Sequence, residues 1–299
     1  MSESLESLHQ SFNRTLRVEG LSARTITIYG QAVRFFGQWI QDQHRREATA
    51  DDLTRDNVLA WLDSMRARNL TDGTVLTRWR GIRRLSLWLV AEEIIDDDPL
   101  KGISVKKPEA PPVPVLTDDE LKALIAACKG KEFRDRRDEV IIRLLLDCGI
   151  RASELTGIML DDLDLDAESV VVTGKGSRIR VAYFGSKTAL AIDRYLRSRT
   201  AQRHAKLPNL LLGERGGLTA DGVRERLTIR ATAAGLDRVN PHRFRHTNAH
   251  DFLLAGGQER DLKRLMGWRS DAMLERYGAS AADHRAREAT KRLNRGDRI

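Results

Sequence analysis

The sequence predicts a mainly α-helical protein of two domains, the second carrying one small antiparallel β-sheet. Three observations carry that prediction. Apolar residues recur at helical spacing through most of residues 3–91. Four of the seven prolines crowd into "KKPEAPPVPV", residues 106–115, where lost donors and extended preceding residues make a semi-rigid linker. Beyond it, "SVVVTGKGSRIRVAYF", residues 169–184, sets β-branched runs on both sides of "GKGS", the pattern of a hairpin. The predicted division is a helical domain at 1–105, the linker at 106–115 and a mostly helical domain at 116–299. A chain of 299 residues suits two domains of roughly 100–200 residues each.

In the first domain, four helices are expected near 3–18, 23–41, 54–68 and 72–91, with room for a fifth. In 23–41 the residues Ile26, Tyr29, Val33, Phe36, Trp39 and Ile40 form one stripe behind Ser22, a residue type suited to an N-cap. The third helix offers Leu59, Trp61, Leu62 and Met65. The fourth places Arg78, Arg80, Arg83 and Arg84 around the stripe Leu76, Trp79, Ile82, Leu85 and Trp88. Those arginines are either a solvated helix face or a set of phosphate contacts.

In the second domain, Thr117 and Glu120 form a capping box that opens a helix, and a second helix near 134–148 ends at Gly149. The hairpin follows, with Lys175 at its tip. Further helices are expected near 186–203, 219–234, 241–255, 258–267, 270–277 and 281–294.

Composition narrows the function classes. With 41% hydrophobic and 31% charged residues the chain has the makings of real cores. No run approaches the ~18 apolar residues of a membrane helix, and "MSESLESLHQ" has no signal-peptide character. Cys128 and Cys148 are too few for a disulfide framework or a zinc cluster, so a reducing, cytoplasmic setting is expected. Residues 1–110 hold 16 basic and 16 acidic side chains, so the whole net charge of +8 lies beyond them. That excess favours a polyanionic partner.

Five stretches carry polar residues that local structure does not require. "CGIRASEL" holds Arg151 and Glu154, "TGKGSR" holds Lys175, and "HRFRHT" packs His242, Arg243, Arg245 and His246 into six positions. "LMGWRS" holds Trp268 and "SDAMLERYG" holds Tyr277. Taken singly, each has a plain reading: Arg151 pairs with Glu154 or with helix-end carbonyls, Lys175 is a solvated turn residue, the histidine–arginine string is an ion-pair cluster, and both aromatics are core. His242, His246 and His250 are spaced like a helical metal ladder. No HEXXH, neighbouring cysteine or carboxylate beyond Asp251 supports one, so no metal is expected.

Taken together, two arginines, a lysine and one or two histidines from separate segments suit a compact, multiply charged anion. The arginine fork binds two phosphate oxygens and keeps its proton, and a histidine beside it transfers one near neutral pH. No serine-nucleophile motif or phosphate loop is present. Tyr277 is the best-placed hydroxyl, while Tyr195 and Tyr183 lie on another helix and on a strand.

The order Arg151, Lys175, His242-x-x-Arg245, Trp268, Tyr277 resembles the catalytic set of the tyrosine recombinases, the phage-integrase family of site-specific recombinases. The strings "CGIRASEL", "TGKGSRIR", "PHRFRHTNAHDFLLAGG", "LKRLMGW" and "MLERYG" carry the likeness across residues 117 to about 280. "LSARTITIYGQAVRFFGQW" and "IIDDDPL" more loosely resemble the family's core-binding helical domain. The family often has His where this chain has Trp268.

The resemblance implies that Tyr277 attacks a DNA phosphodiester to give a 3′-phosphotyrosine and a free 5′-hydroxyl. Arg151 and Arg245 would hold the non-bridging oxygens, His242 would take the tyrosine proton, and Lys175 would protonate the leaving 5′-oxygen. Trp268 would pack against and donate to the phosphate, Glu154 would orient Arg151, and His246 would support the set. Neither ATP, a metal nor another cofactor is implied. The candidate DNA contacts are Arg24, Thr25, Arg78, Arg80, Arg84, Arg178 and Arg243. The implied partners are double-stranded DNA with paired half-sites, a homotetramer on two sites with a dimer on each, and accessory DNA-bending proteins. The chain begins almost directly with the core-binding helices, so no arm-binding domain is expected, and the implied role is integration or excision of a mobile element. Xer-type dimer resolution is the alternative role. Type IB topoisomerase chemistry and a non-enzymatic DNA-binding protein are the other readings. The final helix is expected to dock on a neighbouring protomer through Ala281, Ala282, Ala286, Ala289 and Leu293.

Overall fold

The computed structural model describes residues 3–108, 114–174, 176–293, 296 and 299. Two compact units, Met1–Ala110 and Pro111–Ile299, divide the chain. Lys175, at the expected hairpin tip, and residues 109–113 of the expected linker lie outside the described residues.

The first unit is built from α1 (Leu5–Val18), α2 (Ala23–His44), α3 (Arg55–Ala67) and α4 (Asp72–Ala91). Hydroxyl side chains of Ser4, Ser22, Thr54 and Thr71 cap the four N-termini, each accepting from a backbone amide three residues on. Phe12, Phe36, Ile40, Met65, Ile82, Leu85 and Leu89 form the fully buried centre, with Phe36 edge-on to Trp61 at 5.4 Å. On α3 it is Val58 that enters the core, while Leu59 is 39% exposed. Trp61, Leu62 and Met65 are buried as expected, so the stripe differs only at its first position. α2 and α4 approach closely at Gly81, where a Cβ would stand 2.6 Å from that of Ala32; only glycine fits.

The second unit holds α5 (Asp118–Ala126), α6 (Phe133–Cys148), α7 (Ala152–Thr156), α8 (Ser186–Arg199), α9 (Ala220–Ala233), α10 (Pro241–Leu254), α11 (Glu259–Met266) and α12 (Asp271–Leu293). The capping box of Thr117 and Glu120 is formed as expected. The predicted hairpin is β2 (Ser169–Gly174) and β3 (Arg178–Tyr183), paired so that Val172 faces Arg180 and Val170 faces Ala182. A two-residue strand β1 (Leu163–Asp164) adds to β2, and β4 (Leu212–Gly213) pairs with β5 (Gly216–Gly217) in a separate ribbon. α6 runs through the core with Val140, Ile141, Ile142, Leu144 and Leu145 buried. Its buried Asp138 accepts from Arg226 and Arg230, which ties α9 to it.

Two expectations are corrected. α8 stops at Arg199, because the buried Arg199 guanidinium donates to the carbonyls of Ala205, Leu207, Asn209 and Leu210 and the chain wraps around it. The two helices expected at 270–277 and 281–294 are one continuous helix, α12. Gly278 does not break it: that glycine is buried, and a Cβ there would meet Leu253 at 3.3 Å, so it serves a close helix contact. The described side chains of the expected contact stripe, Ala282, Ala286, Ala289 and Leu293, are exposed.

Candidate active site

α10 is the platform. Asn240 caps it by accepting from the Arg243 amide at 3.1 Å, and Pro241 occupies its first turn, where a missing N–H costs nothing. Asn248 donates to the carbonyls of Leu146 and Asp147, both at 2.8 Å, and so docks the helix on the end of α6.

One turn before Asn248, Arg245 is 1% exposed. Its two terminal nitrogens donate to the Gly149 and Met266 carbonyls, both at 2.6 Å, so one guanidinium joins the ends of α6 and α11. Both helices end on a left-handed glycine, Gly149 (φ 56°) and Gly267 (φ 63°). A Cβ at Gly149 would collide with Met266. Burial, with Arg151 nearby, lowers the Arg245 pKa to about 10, which leaves it charged at neutral pH.

Trp268 follows Gly267 and holds its ring 5.5 Å from that guanidinium. Arg245 Nε and Trp268 Nε1 are both buried and have no acceptor. A buried donor left unpaired costs about 1–3 kcal/mol, so two of them side by side fit a site shaped for oxygens of an anion.

Arg151 stands at the start of α7 and lines the same cleft as Trp268. Its amide donates to Glu154 Oε2 at 2.9 Å and its Nη1 to Oε1 at 2.7 Å. The Arg151 side chain is 36% exposed, whereas Glu154 is 2% exposed. Burial pushes the Glu154 pKa up, but hydrogen bonds from Arg180 and from the Arg151 amide overcome this and hold it at about 2.

Tyr277, on α12, is 3% exposed. Its ring stacks on His246 at 3.8 Å between centroids and lies 4.8 Å from the Trp268 ring. The hydroxyl is 3.4 Å from His242 Nδ1, a long contact whose direction depends on the histidine tautomer. The fold thus brings together Arg151, Glu154, His242, Arg245, His246, Trp268 and Tyr277 from α7, α10, α12 and the turn after α11. Among the described residues no group of three or more His, Cys, Asp or Glu is placed to hold a metal ion, and no helix is long and apolar enough to cross a membrane.

The candidate DNA contacts divide. Arg24, Thr25, Arg78, Arg80 and Arg84 belong to the unit Met1–Ala110. Arg24 and Arg80 are exposed; Thr25 shares its hydroxyl with the cap Ser22 at 2.8 Å; Arg78 covers the Phe35 ring at 4.2 Å; Arg84 is paired with Glu19. In the second unit Arg178 is exposed and lines an open cleft of about 1080 Å³ with Arg151, Arg180, Arg264 and Trp268. Arg243 corrects the expectation. Its guanidinium donates to Glu120 at 2.8 Å and to the Pro114 and Val115 carbonyls, so it clamps the entering chain onto α10 instead of facing outward.

One member of the cluster was not singled out from sequence. Arg180 of β3 donates from Nη2 to Glu154 Oε2 and from Nε to the Leu265 carbonyl, both at 2.9 Å. Strand alternation was the available signal: Arg180 shares the pleat face of buried Ala182, where a charge requires a partner.

Residues 114–284 match the phage integrase family, and residues 8–96 match the phage integrase N-terminal SAM-like domain. The chain belongs to the phage integrase family of tyrosine recombinases. Among curated relatives, the tyrosine recombinase XerC of Listeria monocytogenes serotype 4a (strain HCC23) is 30% identical over 284 residues, covering 93% of this chain and 94% of the relative. XerC of Staphylococcus haemolyticus (strain JCSC1435) is 30% identical over 267 residues, covering 88% and 89%. Among solved structures, the Tn1549 transposon integrase in complex with transposon right end DNA aligns with a TM-score of 0.74 at 19% identity, covering 98% of this chain and all of that one. A lambda integrase dimer bound to a core site aligns at 0.72 and 15% identity, covering 92% and 77%. At these identities the likeness to the solved structures is one of fold.

Proposed function

We propose that this recombinase cleaves and rejoins DNA at specific sites through a covalent 3′-phosphotyrosine formed by Tyr277. The observation that carries the proposal is the pair of buried, acceptor-less donors, Arg245 Nε and Trp268 Nε1, in the cluster that also holds Tyr277. In this reading the Tyr277 oxygen attacks phosphorus and its proton passes to His242 Nδ1, 3.4 Å away, a transfer that uses the tautomer with Nδ1 unprotonated. Arg151, Arg245 and Trp268 bind the non-bridging oxygens, where preorganised donors typically contribute about 10²–10³ in rate each. Lys175 gives a proton to the leaving 5′-oxygen. Attack by that hydroxyl on the phosphotyrosine reverses every bond change, so rejoining needs no external energy source, and no metal or other cofactor takes part.

The protein's units are assigned as a core-binding domain at 1–105, a linker at 106–115 and a catalytic domain at 116–299. Double-stranded DNA with paired half-sites is the partner, two protomers to a site and four to a pair of sites. The exposed stripe Ala282, Ala286, Ala289 and Leu293 supplies a contact between protomers. Arg24, Thr25, Arg78, Arg80, Arg84 and Arg178 are the proposed DNA contacts, and the setting is the cytoplasm. Integration or excision of a mobile element is the role read from the sequence. The XerC relatives, matched over nearly their whole length, favour dimer resolution as the second reading.

The test is strand exchange. Two labelled duplexes bearing the same site are incubated with the protein in EDTA without nucleotide. Exchanged products with wild type and none with Tyr277→Phe are expected; equal products from both overturn the proposal. Relaxation of supercoiled DNA without exchange would move the protein to topoisomerase chemistry.

A further inference from the structure

We infer that Arg180, a residue with no part in the chemistry proposed above, is a positioning residue that keeps the charge of Arg151 available to the scissile phosphate. The inference rests on the proposed cleavage reaction.

Glu154 lies between two cations. Oε1 takes Arg151 Nη1, and Oε2 takes both the Arg151 amide and Arg180 Nη2. With Oε2 occupied by Arg180, Arg151 gives the carboxylate one guanidinium N–H and cannot fork across both oxygens. Charge follows the same logic. One buried carboxylate opposed by Arg151 alone would offset the charge that Arg151 presents beside Arg245. Opposed by Arg180 as well, Glu154 still orients Arg151 while the group keeps a net positive charge for an entering phosphodiester.

Arg180 also joins three separate segments. Its backbone belongs to β3, the second strand of the hairpin; its Nη2 holds Glu154 of α7; its Nε holds the Leu265 carbonyl of α11. Leu265 directly precedes Met266, whose carbonyl holds Arg245, and lies three residues before Trp268. A side chain 13% exposed, on the inward face of an edge strand, therefore ties the hairpin to the carboxylate that holds Arg151 and to the end of α11 that meets Arg245.

The test begins by recovering SDS-stable complexes of the wild-type protein from fragmented genomic DNA, and then uses the recovered duplex as the probe. Single-turnover cleavage is followed at saturating protein for wild type, Arg180→Met, Arg180→Lys and Arg180→Met/Glu154→Gln. A folding defect lowers the fraction of DNA that reacts, whereas misplaced or cancelled charge lowers the rate constant. The expected result is a rate constant roughly 10–100-fold lower for Arg180→Met. Adding Glu154→Gln, which removes the competing carboxylate, restores part of that loss; Arg180→Lys, which keeps the charge without the fork, falls between. If Arg180→Met does not fold, the same comparison is made between Arg180→Lys and Arg180→Lys/Glu154→Gln. The inference is overturned if the variants cleave at the wild-type rate constant, or if Glu154→Gln leaves the rate constant of the Arg180 variant unchanged or lower. No covalent complex with wild type refutes the cleavage reaction itself, a result separate from any difference among variants.

Discussion

The rings of Tyr277 and His246 stack at 3.8 Å between centroids, 19° from parallel, and this contact leaves the tyrosine hydroxyl facing His242. The two histidines, one helical turn apart on α10, therefore have different tasks. His246 holds the face of the nucleophile, and His242 meets its proton. Replacing His242 by Ala is expected to slow cleavage by about 10²–10⁴, the usual range for a lost general base. His246→Phe keeps an aromatic face and is expected to cost far less. Single-turnover cleavage by both variants checks this, and a larger loss at His246 than at His242 would reverse the assignment.

Trp268 offers one polar atom. Trp268→Phe preserves most of the packing against Tyr277 and Arg245 but deletes the buried Nε1–H. The expected outcome is a cleavage rate lower by about 10², near that of other lost transition-state donors, with melting temperature close to wild type. Trp268→His restores a ring N–H and is expected to recover activity. A Phe variant as fast as wild type would assign Trp268 to packing alone.

Glu154 makes stability depend on pH. Its folded pKa of about 2 lies below the usual 4.5, so its contribution is present above pH 4.5 and is lost as pH falls toward 2. A shift of that size corresponds to a contribution on the order of 3 kcal/mol. Urea unfolding of wild type and Glu154→Gln between pH 6 and pH 3 checks it. The wild-type advantage is expected to shrink steadily on acidification; a constant difference would mean that the carboxylate's charge adds nothing.

How much of this was legible in the sequence depended on the range of the physics involved. Helices announced themselves through apolar period and through caps such as Ser22 and Thr117, because both are local. The cluster was legible because its residues have no local use: nothing in one helix requires His242, Arg245 and His246 together. Long-range features were not legible. Gly278 reads as a helix end in one dimension, yet it is the flat spot against which Leu253 packs. α8 reads as continuing to 203, yet Arg199 gathers four carbonyls and turns the chain. β1, β4 and β5 are two residues long, too short to show alternation. Arg243 sat inside the strongest motif and looked outward until Glu120, more than a hundred residues earlier, was placed against it. Arg180 was hidden by the reverse effect, since its neighbour Arg178 in the same string is the exposed one.

The most direct test of the central claim is the identity of the covalent bond. Wild-type protein trapped on suicide-nicked DNA in EDTA is digested with protease and the nucleotide-bearing peptide is sequenced by mass spectrometry. The account predicts a 3′-phosphate ester on Tyr277 and no adduct with Tyr277→Phe. A phosphate ester on Tyr183, Tyr195 or any serine, or an adduct that persists in Tyr277→Phe, would contradict it.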